Sequence, residues 1–330
     1  MKNFFHLKAA VLSLGLLTLG SCADKKDIAP SITNIAVTNP DFQLLEDAAI
    51  RGGVAVVLGN KNPNDPQGNY TVFAPNNAAF NRLGIREAVD LTALQPAFLT
   101  NTLLFHVYSG SLSGSALTAG SQSASALGPA RRIITRADGS RYVNGSRILG
   151  TDVTAANGLV HPIDKVLIAT GGNIVQSAIA LQTAKVFVNP ELTFLVEAVV
   201  YSGLAPTLSG PGPFTVFAPS DQAFKTFLQS KNLKADVPAD IRQLPAATVQ
   251  AVLLGHALPG AKFTPELPES TAVATAGGTS ITLGAFNNGV LPVRYGAGAN
   301  TSTTVFANMV IPDVQCTNGV VHVIDRVLQP

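Results

Sequence analysis

The segment YTVFAPNNAAF at residues 70–80 returns as FTVFAPSDQAF at residues 214–224, and this repeat decides the fold. In both copies a run of β-branched and aromatic residues is stopped by a proline, which predicts a short buried strand. The residue after the proline, Asn76 or Ser220, can cap a helix that follows at once. Each copy therefore predicts a strand leading into a helix, with Phe80 or Phe224 turned back towards the core.

Two more segments repeat in the same order. LLFHV at 103–107 matches LLGHA at 253–257, and NGLVHPIDKVL at 157–167 matches NGVVHVIDRVL at 318–328. The copies lie much further apart than the roughly 20–50 residues of a solenoid period, so a duplicated domain is the better explanation. We expect the first domain over residues 34–169 and the second over residues 170–330.

Helical and strand patterns are segregated within each unit. We predict helices over residues 91–107 and 241–258, each ending at the histidine motif. Later hairpins are predicted around Asp138-Gly139 and Asn288-Gly289. The Asn-Gly pairs at 157–158 and 318–319 should turn the chain into the last strand of each unit. Helices first and strands later predict an α+β domain.

The N-terminus has the pattern of an export signal. Lys2 and Lys8 precede a short apolar run at residues 9–19. The sequence LGSC follows at residues 19–22, where this run stops. This run is too short for a membrane-spanning helix and resembles the signal and lipobox of a bacterial lipoprotein. We expect a signal peptide over residues 1–21, a lipid anchor on Cys22, and a polar tether over residues 22–33. An ordinary signal with a chance cysteine is the alternative.

Composition excludes several functional classes. The 330 residues include 46% hydrophobic residues, which argues against wholesale disorder. The formal net charge is only +2, so steering towards nucleic acid is disfavoured. If Cys22 carries lipid, Cys316 has no disulfide partner, and we expect it to be buried and structural.

The three repeated motifs resemble those of the fasciclin-like domain family. The resemblance covers both units and implies two tandem α+β domains. Each would be a roughly seven-stranded β-wedge or sandwich with several packed helices. Family members are mostly secreted or membrane-anchored adhesion and interaction modules, so the resemblance implies no enzymatic activity and no obligate cofactor.

The resemblance also indicates candidate interaction residues. Animal members use a Tyr-His pair in the middle motif and an Asp-Ile pair before the last Asn-Gly. The matching positions here predict partner contacts at Phe105, His106, His256, Asp152, Val153, Asp313 and Val314. Phenylalanine or glycine stands in place of the tyrosine, and valine replaces the isoleucine twice.

Catalytic and metal sites have little support in the sequence. His161 and His322 are each three residues from an aspartate on a predicted strand, so histidine and aspartate should face opposite sides. A metal site needs three or four converging ligands, and each unit offers two histidines and no Cys/His cluster, so a site is possible only with carboxylates. We therefore expect the repeated histidines to be hydrogen-bonded to the backbone. No Gly-x-Ser-x-Gly elbow is present in the chain.

An arginine-rich hairpin is the remaining charged feature. Five arginines lie within residues 131–147, which contain only one acid, Asp138. We predict that Arg132, Arg136 and Arg141 contact an anionic glycan or lipid headgroup, because guanidinium forks fit such groups. A solvated hairpin that protects a sheet edge is the alternative.

These features together predict a lipid-anchored adhesion or interaction protein of the cell envelope, exported and held at the outer membrane, on its periplasmic face or at the cell surface. Its partner would be a protein or a glycan, with membrane contact through the lipid anchor and no contact with nucleic acid. The alternatives are an envelope hydrolase or esterase acting on glycan material and a purely structural envelope component.

Overall fold

The computed structural model describes residues 29–183, 191–297 and 305–329. The predicted signal peptide and Cys22 lie outside these residues. The described chain mixes helices and strands, which confirms the α+β class.

The α-helices of the described residues fall into two matching sets of five. The first set is α1 (Ile32–Thr38), α2 (Gln43–Arg51), α3 (Ala55–Gly59), α4 (Asn77–Asn81) and α5 (Pro96–Phe105). The second set is α6 (Ile174–Thr183), α7 (Thr193–Tyr201), α8 (Ala205–Ser209), α9 (Asp221–Ser230) and α10 (Ala246–Leu254).

The strands also fall into two groups. The first is β1 (Tyr70–Pro75), β2 (Val107–Ser109), β3 (Gln122–Ser123), β4 (Arg131–Thr135), β5 (Arg141–Val143), β6 (Ser146–Arg147), β7 (Val153–Ala155), β8 (Gly158–Ile163) and β9 (Ile168–Ala169). The second is β10 (Phe214–Pro219), β11 (Ala257–Pro259), β12 (Thr271–Ala274), β13 (Ser280–Leu283), β14 (Val293–Tyr295), β15 (Met309–Cys316) and β16 (Gly319–Ile324).

The first and last sequence motifs of each domain lie side by side. β1 runs parallel to β8 at the centre of the sheet β2-β1-β8-β7, and β10 runs parallel to β16 in the sheet β11-β10-β16-β15-β9. The smaller sheets are β3-β4-β5-β6 and β12-β13-β14. Motifs more than 80 residues apart in sequence are therefore adjacent in space, which explains why they repeat together.

Capping confirms the predicted strand-to-helix turns. Asn76 accepts a hydrogen bond from the backbone N–H of Ala79, and Ser220 accepts one from that of Ala223. Phe80 and Phe224 are buried in the cores, as predicted. The hairpins β4–β5 and β13–β14 are also confirmed.

The two long predicted helices are wrong in extent. Residues 90–93 and 238–243 form separate 3-10 turns, and only α5 and α10 are α-helical. Pro96 and Pro245 cause the breaks, because the residue before a proline is driven out of the helical conformation. Gln95 and Leu244 are accordingly extended, with ψ of 132° and 147°.

The asparagine of each Asn-Gly pair does more than turn the chain. Asn157 accepts from the N–H of Ile32 at 2.9 Å and donates to the carbonyls of Leu58 and Asn60. Asn318 repeats this arrangement with Ile174, Leu208 and Gly210. A single buried side chain in each domain thus fastens two helices to the last strands.

Candidate interaction site

The middle-motif histidines are parts of the core. His106 Nε2 lies 2.9 Å from the backbone N of Leu167 and accepts its N–H, so Nδ1 carries the proton and donates to the Thr102 carbonyl at 2.7 Å. His256 makes the same bonds to Leu328 and Val252. Burial lowers the pKa of both rings to about 4, so they are neutral at pH 7.

The structure thus places part of the predicted interaction surface inside the protein. The side chains of Phe105, His106 and His256 are each only 1% exposed. Both ring nitrogens of each histidine are engaged by backbone groups. These three side chains present no surface to a partner, because they join the helix end to the last strand of the domain.

The last-motif histidines orient the aspartates that we predicted as interaction residues. His161 Nδ1 accepts the backbone N–H of Asp152 at 3.1 Å, and His322 Nδ1 accepts that of Asp313 at the same distance. The other ring nitrogen donates to a backbone carbonyl in each case. The prediction of backbone-bonded histidines is confirmed at all four positions.

Asp152 and Asp313 have the same local geometry. Both occupy the left-handed region, with φ of 63° and 67°. One carboxylate oxygen of Asp152 accepts the N–H of Gly114 at 2.8 Å, and one of Asp313 accepts the N–H of Thr264 at 2.7 Å. The second oxygen of Asp313 accepts the Thr264 hydroxyl at 2.8 Å.

The two aspartates differ in what covers them. Asp313 is 7% exposed because Lys165 of the first domain lies on it, with 2.8 Å between Nζ and Oδ2. The Lys165 ammonium also donates to Thr264 Oγ1 and to the Gly289 carbonyl, which uses its three protons. Asp152 and Val153 are instead exposed, Val153 by 41%.

Electrostatics keep the buried carboxylate ionised. Burial acts to raise the pKa of Asp313, but Lys165 and the Thr264 N–H together outweigh it, so the pKa lies below its ordinary value. Gly145 of the first domain also packs on this carboxylate. A Cβ at Gly145 would lie 1.8 Å from Oδ2. Asp313 and the fully buried Val314 therefore belong to the domain interface.

The arginine hairpin belongs to the same interface. Arg132 pairs with Glu266 at 2.7 Å and lies over the ring of Phe263. Arg136 pairs with Glu269 and lies 4.0 Å from the ring centre of Phe286.

Arg132 and Arg136 lie on the same face of the hairpin, and that face is turned to the second domain. Arg141 donates to the Gly114 carbonyl at 2.6 Å. Polyanion binding by these arginines stays a prediction, and two of the three guanidinium groups already hold carboxylates.

Apolar packing and a shared sheet complete the interface. Ile134 and Tyr142 from the hairpin form a buried cluster with Phe263 and Val320 from the second domain. β9 runs parallel to β15, so the end of the first domain forms the edge strand of the second domain's sheet. The segment that links the two domains is therefore hydrogen-bonded into the sheet of the second domain.

No metal centre emerges from the part of the chain that the structure describes, which has no group of three or more His, Cys, Asp or Glu side chains able to hold an ion. Cys316 is buried, as expected, and burial raises the pKa of its thiol to about 11. Across residues 29–183, 191–297 and 305–329, no helix combines the length and apolarity needed to cross a bilayer.

Comparison with known proteins agrees with the repeated geometry. The fasciclin domain model matches twice, over residues 41–169 and 190–330. The transforming growth factor-beta-induced protein ig-h3 of Sus scrofa is 29% identical over 272 residues, covering 80% of this chain and 35% of that protein. Protein sll1483 of Synechocystis is 33% identical over 154 residues, covering 43% of this chain and 69% of that protein.

A solved FAS1 domain pair from the insect cell adhesion molecule fasciclin I aligns with 90% of this chain and 96% of its own, at 18% identity and a TM-score of 0.35. The chain spans about a third of the length of the ig-h3 proteins that it matches. Because the family model covers most of the chain in two copies, the protein belongs to the fasciclin domain family.

Proposed function

We propose that this protein is a lipid-anchored adhesion or interaction protein of the cell envelope, exported and held through Cys22 at the outer membrane. Its partner binds the exposed surface around Asp152 and Val153 in the first domain. Family membership supports an interaction role, and the name of the insect cell adhesion molecule agrees with it.

One observation carries the choice of site. Asp313 has the same backbone conformation as Asp152, and in both one carboxylate oxygen accepts a backbone N–H. The other oxygen of Asp313 accepts the Thr264 hydroxyl, a group that Gly114 lacks, and holds a lysine ammonium at 2.8 Å. This local geometry is therefore suited to a cationic side chain beside a small apolar residue. Asp152 offers the same geometry at the surface, which favours a protein partner bearing lysine or arginine over a neutral glycan.

Attachment of cells to surfaces or to each other tests the site. Asp152→Asn removes the charge but keeps an oxygen for the Gly114 N–H, and asparagine tolerates a positive φ. Combined with Val153→Asp, it should strongly reduce attachment. Asp41→Asn, at another exposed aspartate, is the matched control. Wild-type attachment by the double variant would refute the site.

Anchoring and exposure are tested separately. Cells fed labelled palmitate should label the wild-type protein, and Cys22→Ser should abolish the label and release the protein from membranes. Protease treatment of whole cells would then separate a surface protein from a periplasmic one. A palmitate label that persists in Cys22→Ser would refute anchoring at this residue.

A further inference from the structure

The ion pair between the two domains joins two positions that each domain possesses. Lys165 lies in the last motif of the first domain, where the second domain has Arg326. Asp313 lies before the last motif of the second domain, where the first domain has Asp152. Of these four residues, Lys165 and Asp313 pair with each other inside the molecule.

The other two are available at the surface. Asp152 and Arg326 are both exposed, and neither forms an ion pair with any residue that the structure describes. Asp152 lies on the face of the first domain that corresponds to the covered face of the second. Arg326 lies on the face of the second domain that corresponds to the covered face of the first. The two described domains therefore present two exposed surfaces that correspond to the two halves of the internal interface.

The shape of the second domain supports this correspondence. Leu83 and Val166 of the first domain pack against the apolar core cluster of the second domain. The aligned repeats place Phe227 and Val327 at these positions in the second domain. Both line an open recess of about 500 Å³, together with Arg326. At the positions where the first domain contacts its neighbour, the second domain thus presents an open recess lined by Arg326, with Phe227 and Val327 buried beneath it.

We propose that two copies of this protein associate head to tail, with Arg326 of one copy paired to Asp152 of the next. This inference rests on the proposed function and names the partner of the same site as a second copy of the chain. The contact is heterologous, because different surfaces meet, so further copies can add to form an open chain.

Part of the internal interface has no counterpart between copies. Glu266, which binds Arg132, lies at the position taken by Ala116 in the first domain. The arginine pairs that hold the domains together are therefore not repeated. The contact between copies should be weaker than the contact between domains, and it should form when the protein is concentrated on a membrane.

Charge variants of the full-length protein test the association in detergent, by light scattering over a range of concentrations. Asp152→Asn and Arg326→Gln should each weaken self-association by roughly tenfold, because each leaves one charge unpaired in the contact. Asp41→Asn and Lys234→Gln, at exposed residues outside the proposed contact, should associate like the wild type. The combined swap D152R/R326D should recover most of the association.

Cross-linking on cells gives a second measurement that does not depend on the strength of association. One tagged copy carries Asp152→Cys and a second, differently tagged copy carries Arg326→Cys. Oxidation should produce a mixed dimer only when both are present. Absence of this dimer, together with a monomer at every concentration, would overturn the proposal.

The attachment assay separates this inference from the proposed function. If the second copy is the partner, Arg326→Gln should reduce attachment as much as Asp152→Asn. If attachment is lost in Asp152→Asn and kept in Arg326→Gln, Asp152 binds a different molecule and head-to-tail association is refuted. If neither variant changes attachment, and D152N/V153D also attaches like the wild type, the site named in the proposed function fails.

Discussion

Lys165 of the first domain and Asp313 of the second form an ion pair of 2.8 Å in which both side chains are more than nine-tenths buried. Such a pair adds little net stability over apolar packing, but removal of one partner leaves an uncompensated buried charge. The pair therefore makes the contact between the domains specific for one arrangement.

Loss of the lysine alone should be costly. Lys165→Met leaves the Asp313 carboxylate without its cation and should lower the free energy of unfolding by about 3–5 kcal/mol. The double variant K165M/D313N should be closer to the wild type, since asparagine still accepts the Thr264 N–H and carries no charge. Urea denaturation of the three proteins at pH 7 measures both effects. Equal stability of Lys165→Met and wild type would show that the pair is not buried in solution.

Acid should destabilise the fold through its core histidines. The pKa of His106 and His256 is about 4 in the folded protein and about 6.5 when unfolded, so the unfolded state binds protons first as the pH falls. The contribution of the neutral histidine rings to the free energy of unfolding is fully present above pH 6.5. It is lost progressively between pH 6.5 and 4, by up to roughly 3 kcal/mol per histidine.

Unfolding free energies at pH 7.5, 6 and 5 check this expectation. A variant with glutamine at both positions cannot take up these protons, so its stability should change less over the same range. A wild-type stability that is constant from pH 7.5 to 5 would contradict the buried, neutral assignment.

The glycine of the last motif should resist substitution for a steric reason. A Cβ at Gly158 would lie 1.8 Å from the Tyr70 carbonyl oxygen, and one at Gly319 would lie 2.1 Å from that of Phe214. Alanine at either position should force the parallel strands apart and cost several kcal/mol. Gly139→Ala is the matched control, because Gly139 also has a positive φ but no atom within 4 Å of its Cβ position.

The Gly139→Ala control measures the free-energy cost of placing alanine at a positive φ, which we expect to be about 1 kcal/mol. Thermal unfolding of the three variants measures the difference. If Gly158→Ala is no less stable than Gly139→Ala, the close approach of the two strands is not required.

The arginine hairpin gives two separable outcomes. Because Arg132 and Arg136 hold Glu266 and Glu269, the variant R132E/R136E should loosen the domains. Limited proteolysis should then cut between the domains faster than in the wild type. Unchanged proteolysis with reduced retention on an immobilised polyanion would instead favour the anion-binding role predicted from the sequence.

Local sequence patterns correctly predicted the helices and strands that depend only on neighbouring residues. The strand that ends at Pro75 and the helix capped by Asn76 follow from neighbouring residues, and both are present. The helices predicted over 91–107 and 241–258 were too long, because the apolar spacing continues through the proline that separates the 3-10 turn from the following α-helix. There the fixed backbone of the residue before proline outweighs the periodicity.

The roles of Asn157 and the arginine hairpin depend on distant residues. Asn157 has a clear turn signal, but its hydrogen-bond partner Ile32 lies 125 residues away. Glu266, which engages Arg132, lies 134 residues away. The same limit applies to Asp152 and Asp313. Their motifs are alike in sequence, and only the packing of the domains exposes one and buries the other.

Asn157 also determines how the protein would carry a pulling force. The hairpin that bears Asp152 and Val153 is joined to the start of the described chain by two hydrogen bonds of 2.9 Å. The Ala156 N–H donates to the Pro30 carbonyl, and the Ile32 N–H donates to Asn157 Oδ1. Tension between an N-terminal anchor and a partner held at Asp152 would therefore run through these few bonds at one edge of the first domain. Ile32 is itself part of the hydrophobic core of the first domain, so that core would share the load, whereas the second domain would remain outside its path.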